Sequence, residues 1–321
     1  MFGERLMNCQ SQTRWRLLPG RISTTRHHRR PFLAAFVFLA LALLMSATLR
    51  PAAAGPNEEA LQAYERGDFE TAYEIWLSAA VAGDAEAQYR LGGLYENGEG
   101  VWRDLKEAAD WYQRAALQGH AEAQYELGVL HENGKGVERD HRVAENWYRK
   151  AAEQDHLFAR YALGMKYLQG REVEQDFGEA HRWLLPVAED GYAVAQINLA
   201  FMYRDGLGVE QDDEAAVSWF RRAAEDGHPV AQNNLGLLYY AGRGVDRDAG
   251  EAAHWYRRAA EQGLANAQVN LGGLYERGEG VTSNWTEAAW WYRRAAVQGS
   301  VEGRKRLALL ELQMRRLPKL Q

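Results

Sequence analysis

The chain has 321 residues, of which 46% are hydrophobic and 26% charged, and its net charge is −6. This composition is that of a soluble globular protein, and the negative charge argues against nucleic-acid binding, which needs a cationic surface to displace counterions. The single cysteine, Cys9, excludes a disulfide framework within the chain.

Residues 1–54 differ in composition from the rest of the chain, because they carry eight arginines and a single acid, Glu4. An apolar run, Phe32–Leu49, precedes an A-x-A-like cleavage signal at Ala52–Gly55. This pattern predicts a secretory signal peptide, and its long basic region leaves an uncleaved N-terminal membrane anchor as the alternative. Both alternatives export the rest of the chain, in a bacterium to the periplasm, and limit membrane contact to this segment. Arg29-Arg30 also resembles a twin-arginine signal.

Residues 55–82 predict a shortened helical hairpin. The short turn Arg66-Gly67-Asp68 separates two helical patterns, and alanines such as Ala72 recur 36 residues later. The turn resembles that of a tetratricopeptide repeat. We therefore predict an abbreviated tetratricopeptide-like capping repeat at this end of an array.

Six segments of 36 residues follow without gaps over residues 83–298, and each carries a tryptophan at the same position. These are Trp111, Trp147, Trp183, Trp219, Trp255 and Trp291. A fixed period in this range indicates stacked supersecondary units, none of which can bury its apolar face alone.

The segment 227–262 shows what each unit contains. Ala231, Leu235 and Leu238 lie at helical spacing and predict a first helix, which Gly242 and Gly244 end. An aspartate cap, Asp248, then begins a second helix, whose buried stripe contains the tryptophan, a tyrosine and alanines. Each unit is therefore a helix-turn-helix.

The pattern A-x-x-x-L-G-x-x-Y-x-x-G-x-G-V, followed by D-x-x-x-A-x-x-W-Y-x-x-A-A-x-x-G, resembles the Sel1-like repeat, a relative of the tetratricopeptide repeat. The resemblance implies an all-α fold, an α-solenoid of helix-turn-helix repeats that forms a superhelix. It also implies a scaffold for protein assemblies, with no enzymatic activity.

The third unit departs from the pattern. Asp155 and Glu172 replace loop glycines, Leu184 replaces the tyrosine, and Pro186 lies inside the second helix. A proline there removes a helix hydrogen bond and tends to kink the axis. The unit is predicted either to bend the array or to reflect neutral drift. Beyond the sixth unit, residues 299–321 predict a C-terminal capping helix.

Four positions of each first helix point away from the predicted core. They are mainly polar in the first two units and become apolar, with asparagines alongside, in the third to fifth. We predict that this stripe lines a concave groove and binds a protein or peptide segment. The predicted binding residues are Phe158, Met165, Val194, Asn198, Phe201, Val230, Asn234, Leu237 and Asn270. The alternatives are that the units curl tightly enough to bury the stripe, and that the asparagines bond adjacent helices.

Two further recurrent patterns have simpler interpretations. His120, His156 and His228 share a column but lie in different units, too far apart for one metal ion, so we predict exposed loop residues. The pairs Arg221-Arg222 and Arg257-Arg258 precede glutamates at helical spacing and predict a solvated, ion-paired face.

Residues 1–54 predict export, and the resemblance implies a scaffold or adaptor in envelope signalling or the assembly of envelope complexes. The alternative is an envelope hydrolase, of a cell-wall or β-lactam type, that uses groove carboxylates such as Glu122 and Glu126. The repeats lack the cysteine pairs of those exported relatives to which β-lactam hydrolysis is ascribed. Because no nucleophile–base pair, phosphate loop or zinc spacing occurs, we predict no catalytic residue, metal or cofactor.

Overall fold

The computed structural model describes residues 55–316, so the predicted signal peptide or anchor at 1–54 lies outside the described residues, as do residues 317–321. Within 55–316 the chain forms fifteen α-helices and no strand, which confirms the predicted all-α repeat fold. None of these helices has the length and apolar character needed to cross a membrane. The helices are α1 (Pro56–Glu65), α2 (Phe69–Val81), α3 (Ala85–Asn97), α4 (Leu105–Leu117), α5 (Ala121–Asn133), α6 (His141–Ala152), α7 (Leu157–Gln169), α8 (Phe177–Glu189), α9 (Ala193–Asp205), α10 (Asp213–Glu225), α11 (Pro229–Ala241), α12 (Ala249–Glu261), α13 (Ala265–Arg277), α14 (Trp285–Val297) and α15 (Val301–Arg316).

The described residues divide into two compact units, 55–118 and 119–316. The first contains α1–α4 and the second α5–α15. In each unit every helix packs against the next one along the chain. The odd-numbered helices from α3 to α13 are the first helices of the six repeats, and the even-numbered helices from α4 to α14 are the second helices.

Local capping chemistry explains why each second helix begins where it does. The Asp212 carboxylate accepts a hydrogen bond from the backbone N–H of Ala215, and Asp248 accepts from Gly250 and Glu251. The equivalent caps are Asp68, Asp104, Asp140, Asp176 and Asn284. Each such cap contributes about 1 kcal/mol to helix stability. The predicted caps are confirmed.

The loop between the two helices of a repeat contacts the preceding repeat. Gly244 has a φ of +68°, and a Cβ at this position would lie 2.2 Å from the backbone oxygen of Asp213, at the start of α10. Only glycine combines a positive φ with so close an approach. The loop of one repeat is thereby held against the second helix of the repeat before it.

The core of the 119–316 unit lies between the first and second helices. Trp183, Trp255 and Trp291 are buried there, as predicted. Trp147 and Trp219 are only half-buried, so the prediction of a fully buried tryptophan column is too simple. A cation covers each of these two rings, with Lys150 Nζ 4.1 Å from the Trp147 centroid and the Arg222 guanidinium 4.5 Å from that of Trp219. Cation–π contact lets a half-buried indole keep a packed face.

The irregular third repeat keeps the helical plan. Asp155 and Glu172, each with φ +66°, are the two non-glycine residues with positive φ among residues 55–316. Left-handed backbone at such residues costs about 1–2 kcal/mol each. α8 runs through Pro186 to Glu189 without a break.

Candidate partner-binding face

Eight of the nine predicted binding residues are buried or half-buried. Met165, Asn198 and Phe201 are 9%, 0% and 6% exposed, so the prediction that these three side chains face solvent is wrong. The half-buried members are Phe158, Val194, Val230, Asn234 and Asn270. Leu237, at 40%, is the exposed member.

Contacts between neighbouring helices close the stripe in the third and fourth repeats. Asn198 Nδ2 on α9 donates to Met165 Sδ on α7 at 3.3 Å, so the first helices of these two repeats meet directly. The Phe201 ring meets Phe220 edge-on, with 5.2 Å between centroids, and the Arg204 guanidinium covers it at 4.7 Å. Here the units bury the stripe between themselves, which is one of the alternatives stated above.

The three asparagines of the predicted binding stripe, Asn198, Asn234 and Asn270, make three different hydrogen bonds, so their amides are not presented alike to a partner. Asn234 Nδ2 donates to the Val230 carbonyl of its own helix at 2.7 Å, and Asn270 Nδ2 donates to Asn233 Oδ1 of the preceding repeat at 2.9 Å. Asn198 and Asn270 therefore bond adjacent first helices, as the alternative reading expects. The Asn270 Oδ1 atom accepts no hydrogen bond from the described residues.

The stripe opens near its C-terminal end, in a pocket of about 300 Å³ formed by α11, α13 and α15 over the tyrosines of α12 and α14. The pocket is lined by Leu237, Tyr240, Tyr256, Val269, Asn270, Gly273, Leu274, Arg277, Tyr292 and Arg306. These include two of the predicted binding residues, Leu237 and Asn270.

Gly273 explains why the pocket is open. It occupies the stripe position that Val129, Met165, Phe201 and Leu237 fill in the four preceding repeats. A Cβ on Gly273 would lie 3.0 Å from Arg277 Nη1 and 3.6 Å from the Tyr292 hydroxyl, inside the pocket wall. The missing side chain leaves space against Leu237.

The charged groups that line the pocket are both guanidinium groups. Arg277 pairs with Glu279 at 2.9 Å, and Tyr240 donates to the same carboxylate at 2.8 Å. Hydrogen bonds from Tyr240 and then Arg277 lower the pKa of the Glu279 carboxyl, which stays ionised and fixes both partners. Arg306 pairs with Glu302 at 2.7 Å. A guanidinium has five N–H donors, so each keeps donors for a ligand.

Tyr256 has a hydroxyl without a hydrogen-bond partner in the part of the chain that the structure describes, although the residue is only 2% exposed. In other repeats the equivalent tyrosine donates to a glutamate of the first helix, as Tyr148 does to Glu132 at 2.8 Å. In this repeat Tyr240 stands at the glutamate position. Burial raises the pKa of Tyr256, so its hydroxyl stays protonated and can donate into the pocket.

A second cluster of polar groups joins the second and third repeats. Ligand atoms of Glu132, His141 and Glu172 lie within 4.8 Å of one another, a spacing that a metal ion could use. However, the buried Lys166 ammonium lies 2.6 Å from Glu132 and 3.3 Å from Glu172. The lysine already pairs with both carboxylates, and we interpret the cluster as a structural ion-pair network.

The repeated arginines pair with aromatic side chains instead of the predicted glutamates. Arg221 Nη2 donates to the Tyr239 hydroxyl at 2.9 Å, and Arg257 Nη2 donates to the Tyr275 hydroxyl at 2.7 Å. The second arginine of each pair stacks on a tryptophan, as Arg258 does on Trp255 at 5.1 Å. The first arginine of each pair therefore helps to hold consecutive repeats together, whereas the second contacts a tryptophan of its own helix.

The histidine column is also structural, and the prediction of exposed loop residues is wrong. His156 is half-buried, and its Nδ1 accepts a hydrogen bond from the Ala159 N–H at 3.2 Å, which caps α7. Its ring stacks on Tyr125, with 4.8 Å between centroids. His120 caps α5 in the same way. Burial lowers the pKa of His156 and of His228, which favours the neutral form that can accept.

A column of buried glutamines was not predicted from the sequence. Gln232 Nε2 donates to the Ala224 carbonyl at 3.1 Å, and its Oε1 accepts from Gln262 at 2.8 Å. The equivalent buried residues are Gln88, Gln124, Gln196 and Gln268. Their 36-residue recurrence next to the alanine column was the available signal, since a buried amide must find partners.

The carboxylates of the hydrolase alternative lie on α5. Glu122 is exposed, 3.4 Å from His120 Nδ1. A solvated carboxylate lacks the desolvated surroundings that tune a general acid, so Glu122 gives a hydrolase no support, whereas Glu126 is half-buried.

Comparison with known proteins supports the fold of repeated helix pairs. A family model described as "Sel1 repeat" matches six consecutive segments: residues 85–120, 121–156, 157–192, 193–228, 229–264 and 265–300. One similar solved structure is a protective antigen present in uropathogenic Escherichia coli strains, which displays an SLR fold. It is 36% identical, with a TM-score of 0.73, over 79% of this chain and 56% of that chain. This chain thus spans little more than half of that protein.

A second similar structure is a Sel1 repeat protein from Oxalobacter formigenes, which is 32% identical with a TM-score of 0.61. The match covers 75% of this chain and 96% of that one. No curated protein matches the chain.

Proposed function

The chain belongs to the Sel1 repeat family, whose fold is of the protein-interaction scaffold type, and from this membership we propose that it is an exported adaptor. We propose that it binds a protein or peptide segment along the first helices of its last two repeats, α11 and α13. Its place would be the periplasm, in envelope signalling or in the assembly of envelope complexes.

The observation that carries this proposal is the opening of the stripe at Leu237. Along α7 and α9 the stripe is covered, whereas between α11 and α13 it leaves an exposed leucine beside a pocket with unused polar groups. Binding sites commonly combine an apolar concave surface with a few convergent polar groups. The two predicted binding residues that line this pocket, Leu237 and Asn270, are therefore the ones we retain.

Export rests on the sequence of residues 1–54, whose basic region, apolar run and Ala52–Gly55 signal resemble a secretory leader. N-terminal sequencing of the protein recovered from the envelope tests it. A mature chain that begins near Gly55 supports a cleaved signal, and a chain that retains Phe32–Leu49 supports an anchor.

Site-specific photo-crosslinking tests the binding face. A photoreactive amino acid replaces Leu237 in the full-length chain, in the cells that make it, and a matched variant carries the same group at the exposed Glu225 on α10. We expect a discrete protein adduct from position 237 only. An adduct from position 225 with none from 237 would place the binding face on the second helices instead.

A further inference from the structure

We infer that the pocket between α11, α13 and α15 recognises an acidic side chain of the bound segment, most favourably a glutamate. This inference rests on the proposed function and adds the chemistry of the partner.

The charged groups that line the pocket are cationic, in a chain whose net charge is −6. They are Arg277 and Arg306, and α11 carries no charged residue. Glu279 pairs with Arg277 and Glu302 pairs with Arg306, so one carboxylate holds each guanidinium in place. An acidic side chain of a partner therefore meets the N–H donors that these pairs leave unused.

The hydrogen-bonding groups of the pocket also select an acceptor. Tyr256 lines the pocket, and its protonated hydroxyl has no hydrogen-bond partner among residues 55–316, while the two guanidinium groups retain free N–H donors. A carboxylate has about four lone-pair sites, so it can accept from all three groups at once. A lysine would face two cations, and a purely apolar side chain would leave the Tyr256 hydroxyl unpaired.

The size and walls of the pocket favour one side chain with a short apolar stem. Its volume of about 300 Å³ is at the small end for ligand sites. Leu237, Val269 and Leu274 supply apolar wall for methylene groups. Glutamate offers two methylenes before its carboxylate, which suits this combination better than aspartate.

Capped peptides provide the probe for the test. Three heptapeptides, acetylated and amidated so that no terminal carboxylate is present, have the sequence Ser-Ala-Leu-X-Leu-Ala-Ser with X as Glu, Gln or Lys. Their binding to the purified full-length chain is followed by NMR at the Gly273 amide. We expect the Glu peptide to bind at least about tenfold more tightly than the Gln peptide, because charge-assisted hydrogen bonds to arginine exceed neutral ones.

Two variants in the same repeat column make the test specific. Gly273→Met fills the pocket with the side chain that Met165 supplies at the same position three repeats earlier, and it should abolish the preference for Glu. Gly93→Met changes the equivalent glycine of the first repeat, where a Cβ has only the Tyr112 hydroxyl near it, at 3.8 Å, and it should retain the preference.

Several results would overturn the inference: equal binding of the Glu and Gln peptides, tighter binding of the Lys peptide, no binding of the Glu peptide, or a Glu preference that survives Gly273→Met. The photo-crosslinking experiment separates this failure from failure of the proposed function. If position 237 captures a partner while the peptides show no Glu preference, the adaptor function stands and the carboxylate specificity is wrong. If neither position 237 nor position 225 captures a partner, the adaptor function itself is wrong.

Discussion

The first-helix stripe is closed along α7 and α9 and open between α11 and α13. Phe201 and Leu237 hold equivalent positions in consecutive repeats, yet they are 6% and 40% exposed. In the next repeat, Leu237 occupies the position of Phe201, and in the repeat after that Gly273 occupies the position of Leu237. A repeat position thus belongs to the core or to the surface according to the side chain that the next repeat places there. The closed part contributes buried apolar area, and the open part is the face that we propose for a partner.

The largest expected effect on stability comes from placing a charge in the closed part of the stripe. Phe201→Asp should destabilise the protein by about 3–5 kcal/mol, because it removes a buried aromatic ring and buries a carboxylate. Leu237→Asp is the matched control and should stay within about 1 kcal/mol, because its side chain reaches solvent. Urea unfolding measures both. Equal midpoints for the two variants would remove the distinction between closed and open parts.

Breaking an ion pair should also destabilise the protein more in the closed part of the stripe than in the open part. Lys166→Met should cost about 2–3 kcal/mol, because it leaves the Glu132 and Glu172 carboxylates without the buried ammonium between them. Arg277→Met, at the open pocket, breaks an exposed pair with Glu279 and should cost less than about 1 kcal/mol. Urea unfolding measures the stability of both variants. A Lys166→Met variant as stable as the parent would show that the closed part does not depend on this ion-pair network.

The pH dependence of stability should distinguish the histidines that begin α7 and α11. His156 caps α7 as a neutral acceptor, and burial lowers its pKa from 6.5. A lowered pKa means that the unfolded chain binds the proton more readily than the folded chain. The contribution of the His156 cap to the free energy of unfolding is therefore present above pH 6.5 and is lost as the pH falls below it. The cap contributes about 1 kcal/mol.

The variant that checks this is His156→Asn, because asparagine caps a helix without titrating. Unfolding midpoints of the parent should fall between pH 7.5 and pH 5.5 by more than those of the variant. His228→Asn serves as the control, since His228 begins α11 without a side-chain cap bond. His228→Asn should remove only the part of the pH dependence of stability that comes from burial of a charged imidazole. A His156→Asn midpoint that follows the parent at both pH values would exclude the cap as its source.

Sequence reasoning succeeded where the determinants are local and failed where they depend on the neighbouring repeat. The caps at Asp212 and Asp248 act within three residues, so the start of each second helix could be predicted from the repeat pattern alone. The burial of Phe201 depends on contacts with Phe220 and on the fit of the following repeat, which a helical projection of one helix does not contain. The open pocket needs the absence of a side chain at Gly273, and a glycine inside a helix gives no apolar signal to read.

The smallest effect tests the pocket itself through two adjacent glycines of α13. Gly273→Ala should stabilise the protein by about 0.5–1 kcal/mol, because alanine is the better helix former and its Cβ meets only the far end of the Arg277 side chain and the Tyr292 hydroxyl. Gly272→Ala has the same intrinsic gain, but its Cβ would lie 2.7 Å from Cε1 of the buried Tyr292 ring. Overpacking of that kind costs about 1–3 kcal/mol, so this variant should be less stable than the parent. Opposite signs at neighbouring positions show that space exists on one side of α13 and not on the other. If both changes destabilised the protein to the same extent, the Gly273 side would be packed as closely as the Phe201 side, and no pocket would be open to a partner.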